Sequence, residues 1–99
     1  QFNDPLHIAN DVLINLQIRV YAVNSNKVFE MLHDRFKDSA FIVNQFHQFV
    51  DISIENAIYD ESLVGWFLQL ANYIEVFKPL ELRDKIKEEI RKMNMMYRS

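Results

Sequence analysis

From Val12 to Ala22 the chain alternates without a break. Val12, Ile14, Leu16, Ile18, Val20 and Ala22 fall on one side, and Leu13, Asn15, Gln17, Arg19 and Tyr21 on the other. Successive side chains of an extended strand point to opposite faces, so this period of two predicts a strand that is buried on its first face. Leu13 and Tyr21 put apolar groups on the second face too, so that face is not wholly given over to water.

The period then changes. Asn24-Ser25 interrupts the alternation, and Ser25 is a good helix N-cap. Val28, Phe29, Leu32 and Phe36 recur at helical spacing and predict a helix over about Asn26–Lys37. Ala40 to Val43 opens a second strand. Asn44–Gln48 is a polar gap broken by Phe46. Phe49 to Glu55 alternates again, with Val50, Ile52 and Ile54 opposite Asp51, Ser53 and Glu55. Two such runs around a short gap predict a hairpin.

Asp60 is placed to cap a second helix with the apolar stripe Leu63, Val64, Phe67, Leu68, Leu70 and Ala71. Asn72 is the residue expected to take the left-handed conformation at its end. Tyr73 to Phe77 predicts a short strand. Pro79 stops it and suits a first helical position. A last helix follows from Leu80 to about Tyr97, with Leu82, Ile86, Ile90 and Met93 as its stripe.

The order is βαββαβ plus one helix. That predicts an α+β, ferredoxin-like sandwich with an added C-terminal helix. Right-handed crossovers put the first two helices on one sheet face. The opposite face is left for the last helix, a ligand or a partner. Residues 1–11, with Pro5 and polar punctuation, read as a linker from an upstream region, and residues 12–97 as a single domain. A length of 99 residues and 49% hydrophobic content suit one core.

Composition narrows the chemistry. There is no Cys, which excludes a disulfide framework, a thiolate zinc site and a Cys nucleophile. A single Gly, Gly65, excludes phosphate-cradling loops and the dinucleotide fingerprint. It stands inside the second predicted helix, where it either allows a close approach of backbone or serves packing. His7, His33 and His47 are scattered and match no ligand pattern. The carboxylates Asp51/Glu55 and Glu88/Glu89 read as solvated faces; Asp51, Ser53 and Glu55 could also orient a polar ligand. No catalytic, cofactor-binding or metal-binding residues are expected.

The formal net charge is -3, against a freestanding nucleic-acid binder. Residues 75–99 nevertheless carry seven basic and five acidic groups, so this tail either meets an acidic surface, such as a second copy, or is a solvated face of mixed charge. Trp66 lies near the edge of its stripe and is either a core-rim residue or an interface anchor. Met93, Met95 and Met96 suit either an adaptable partner surface or ordinary helix packing. No run approaches the roughly 20 apolar residues needed to span a bilayer.

The stretch from Trp66 through Val76 to Ile90 resembles the C-terminal extension of WYL-domain transcription regulators. In that family a helix bearing Trp-Leu-Leu leads to a short Val-Glu-Val-Leu strand, then Pro, then a Leu-Arg-containing final helix. Trp66, Glu75, Val76, Pro79, Leu82 and Arg83 match those positions. Ala71 and Asn72 stand where the family often has Gly. The resemblance implies a non-catalytic dimerisation and effector-response domain of a cytoplasmic bacterial regulator. It also implies a homodimer, packing against a preceding WYL domain of the same or the other subunit, and DNA contact only through an N-terminal helix-turn-helix. Tyr21, Phe41, Trp66, Arg83, Met93 and Met96 are the candidate interface residues. An ACT-like small-molecule sensor is the alternative, and a small enzyme of the same superfold a third.

Overall fold

The structure, a computed structural model, describes residues 12–21 and 26–98. The linker at residues 1–11, His7, the Ser25 cap and Ala22 lie outside the described residues. The elements are β1 (Val12–Val20), α1 (Asn26–Phe36), β2 (Ala40–Gln45), β3 (Val50–Tyr59), α2 (Glu61–Leu68), β4 (Ile74–Lys78) and α3 (Leu80–Met96). Short 3-10 turns at Lys37–Ser39 and Ala71–Tyr73 lead into β2 and β4.

The four strands form one antiparallel sheet in the order β2-β3-β1-β4. This α+β arrangement is the expected one, with sequential hairpin strands β2 and β3 and two crossovers through α1 and α2. One sheet face carries Leu16, Ile18 and Val20 of β1, Val50, Ile52 and Ile54 of β3, and Val76 of β4. The alternation therefore sits in the predicted register. Val28, Leu32 and Phe36 of α1 and Leu63 and Phe67 of α2 complete the same core. Burying such side chains contributes about 1.5–3 kcal/mol each.

The last helix joins this side as well. Leu82 is fully buried in the core and Ile86 packs against it, while Lys85 Nζ lies 5.2 Å over the ring of Tyr59. Of the covers expected for the opposite face, α3 is thereby removed: three helices share one side, and the second face stays open among the described residues.

Three local departures have physical causes. β3 was expected to stop near Glu55 but runs to Tyr59, because Asn56 takes φ 58° and forms a bulge against β1. Asn tolerates the left-handed region, and its backbone N–H donates to Asn15 Oδ1 at 3.1 Å. The bulge shifts the alternation by one, so Ala57 goes into the core and Ile58 faces outward opposite Leu13. After α2 the left-handed residue is Ala71, at φ 53°, and not Asn72. Pro79 precedes α3 as its extended N-cap after a cis peptide bond, not as its first helical residue. The Asp60 cap is as expected: Oδ1 accepts from the Leu63 N–H at 3.2 Å.

Gly65 is the remaining correction. A Cβ built on it meets nothing within 4 Å, so among the described residues neither packing nor close backbone approach requires glycine there.

Candidate interaction surface on the open sheet face

The open face is built from the odd positions of β1 and their cross-strand partners. At its centre Arg19 lies opposite Asp51 and holds it by two hydrogen bonds, Nε to Oδ1 at 2.7 Å and Nη2 to Oδ2 at 3.1 Å. The guanidinium is also 3.9 Å from the Phe49 ring centroid and 5.0 Å from that of Phe77. This bidentate, ring-flanked setting restrains both side chains. The hydrogen bonds from Arg19 hold the Asp51 carboxyl below the usual carboxylate range, and reciprocally raise Arg19. Asp51 is thus committed to an internal partner, and Glu55 beyond it is exposed.

A second polar cluster closes the other edge. Tyr21 Oη donates to Glu75 Oε1 at 2.7 Å. Arg83 Nη1 donates to Glu75 Oε2 at 2.9 Å and to the Val76 carbonyl at 2.8 Å. The Tyr21 and Arg83 donors lower the Glu75 pKa, and the bond to Glu75 raises that of Tyr21. Arg83 belongs to α3, on the helical side, so its side chain reaches past the outer edge of β4 to meet Glu75 on the open face.

Around this polar centre lie exposed apolar groups: Leu13 and Ile58 at one end, Phe41 and Val43 on β2, and Phe46 at the hairpin tip. Phe46 packs on Phe49 at 4.7 Å, which in turn meets Tyr21 edge-on at 6.3 Å. β2 is an edge strand whose six residues carry no charge, and among the described residues no strand pairs with its outer side. Edge strands of this kind are open to pairing with another chain.

The six candidate residues fall into four places. Tyr21 and Phe41 share the open face, 42% and 44% exposed. Trp66 lies elsewhere, half-buried on the helical side and packed edge-on against Phe36 at 5.3 Å and Phe67 at 5.1 Å. It therefore has a core-rim setting within its own chain. Arg83 is half-buried in the clasp just described. Met93 and Met96 are on the far half of α3, 46% and 76% exposed. The charges near them are partly paired along the helix, Arg91 with Glu88 and Lys92 with Glu89. Of the histidines, His33 is exposed on α1 and His47 at the hairpin tip. Arg19, Asp51, Phe49 and Phe77 were not expected as a unit. Arg19 opposite Asp51 required a cross-strand register that periodicity alone does not supply.

The end of β3, all of α2 and β4, and most of α3 correspond to a known family: residues 57–93 match the profile of the WCX domain. This segment, 37 of the chain's 99 residues, is similar to a WCX domain. It contains the Glu75–Arg83 clasp and the Leu82 anchor, three of the positions on which the sequence resemblance rests. The same WCX region is 47% identical over 38 residues to a protein of Bacillus subtilis (strain 168) described as the uncharacterised HTH-type transcriptional regulator YobV. That alignment covers 38% of this chain and 12% of the relative, so the chain matches about an eighth of the regulator's length. No solved structure matches the chain significantly. No described helix is long and apolar enough to cross a membrane.

Proposed function

We propose that this chain is the C-terminal, non-catalytic dimerisation and effector-response domain of a cytoplasmic bacterial transcription regulator. In this reading residues 12–97 are one domain, DNA is contacted by an upstream helix-turn-helix region, and a WYL domain lies between. The carrying observation is the WCX match on α2, β4 and α3, shared with a protein described as an HTH-type regulator.

The open sheet face is the surface we assign to the second subunit. All three helices lie on the other side, and the open face presents Tyr21, Phe41 and Val43 around a polar centre whose ion pairs are satisfied internally. An apolar patch rimmed by polar groups suits a protein partner. A two-fold axis would bring the same patch of both subunits together.

The test uses the full-length regulator. Sedimentation equilibrium is expected to give a dimer, and Phe41→Glu to weaken it at least tenfold while leaving the far-UV circular dichroism unchanged. A strict monomer at high concentration, or a dimer indifferent to Phe41→Glu and to Tyr21→Glu, refutes the assignment of this face.

A further inference from the structure

A groove of about 560 Å³ runs between α2, β4 and α3, on the helical side and around the outer edge of β4. Its volume lies within the range of about 300–1,000 Å³ typical of small-molecule sites. One wall is the α3 stripe Ile86, Ile90 and Met93, at i, i+4 and i+7, which extends about 10 Å along the helix. Phe67 and Ile74 form the facing wall. Ile90 and Met93 are about half exposed there, although they continue the stripe that Leu82 buries completely.

Besides the uncharged Tyr21 and Asn72, the polar lining of the groove is charged. Arg83 and Lys87 belong to it, one helical turn apart, with Glu75 as the single carboxylate lining the groove. Glu75 is already held by Tyr21 and Arg83. Lys87 has no carboxylate partner among the described residues, whereas the neighbouring Arg91 and Lys92 do. The charged lining is therefore net positive, beside an elongated apolar trough.

We propose that this groove binds a free amphipathic carboxylate, an acyl chain along Ile86, Ile90 and Met93 with its carboxylate at Lys87 and Arg83. A second copy is the poorer occupant: it would bring its own net-positive residues 75–99 to a positive lining. The proposal rests on the regulator reading only in that it names an effector class for it. Binding is measured on the chain itself, without DNA, so either idea can fail while the other stands.

The probe is dodecanoate below its micelle concentration, titrated calorimetrically into the chain. One saturable site is expected. Lys87→Glu and Ile90→Glu, both at exposed positions, are expected to weaken it at least tenfold with circular dichroism unchanged. Dodecylammonium is expected to bind at least tenfold more weakly than dodecanoate. Absence of saturable binding overturns the proposal. So does equal binding of the cation, indifference to both substitutions, or concentration-dependent dimerisation abolished by Ile90→Glu in the absence of ligand. Cosedimentation with anionic phosphatidylglycerol vesicles in preference to free dodecanoate would assign the groove to a membrane lipid and overturn it too.

Discussion

Replacing Gly65 by alanine is expected to stabilise the chain. Gly65 is inside α2, its φ is negative, and the new methyl group meets no atom of the described residues within 4 Å. The substitution therefore adds no strain and removes backbone freedom from the unfolded chain. In a helix interior alanine is favoured over glycine by about 0.8–1.0 kcal/mol. For a domain of this size that corresponds to a rise in Tm of roughly 3–8 °C. Differential scanning calorimetry reads the shift. Urea denaturation should show a higher midpoint with an unchanged slope, because the surface exposed on unfolding is nearly the same. An unchanged or lowered Tm would refute the reasoning, by showing that another atom occupies the space beside Gly65 in solution. If a partner's backbone approaches there in the full-length protein, the same substitution would raise the stability of this chain and weaken that assembly.

Ala71→Gly is expected to gain about 1 kcal/mol, since Ala71 takes φ 53° where a Cβ is disfavoured; chemical denaturation checks this. Leu82→Ala removes a fully buried side chain that anchors α3 and should cost about 2–5 kcal/mol, with loss of helical signal at the C-terminal end seen by hydrogen exchange. Asp51 and Glu75 have folded pKa values below their unfolded ones, near 4. Their contribution is thus complete above about pH 5 and is lost as pH falls through the lowered folded values. A Tm profile from pH 6 to pH 2 should fall, and fall less steeply for Asp51→Asn; identical slopes would refute the linkage.

Much of the sheet was legible because it depends on one-dimensional rules. Leu16, Ile18 and Val20 announce a buried face, and Asp60 announces a helix start whatever the rest of the chain does. The misses needed information that alternation does not carry. The bulge at Asn56 depends on an acceptor from Asn15, 41 residues away. The left-handed turn falls on Ala71, one position before the Asn that propensity favours, and opens the 3-10 turn Ala71–Tyr73 that leads into β4. The candidate surface was legible in part. Tyr21 showed itself by breaking polar alternation. The Arg19–Asp51 pair and the reach of Arg83 around β4 are products of register and helix placement, and no local spacing encodes them. Trp66 was ambiguous because a wheel shows where a residue points, not whether Phe36 from another helix is there to meet it.

The clasp formed by Tyr21, Glu75 and Arg83 gives the two faces of this thin sheet a shared fastening. Rotating or lifting α3 takes Arg83 with it, removes a donor from the Val76 carbonyl, and leaves Glu75 with Tyr21 alone. An event on the helical side therefore acts on a tyrosine that faces the opposite way, across the thickness of one strand, without any change in the core. In a two-layer protein, where each face is the other's back, a side chain that turns the corner is the shortest mechanical link between them.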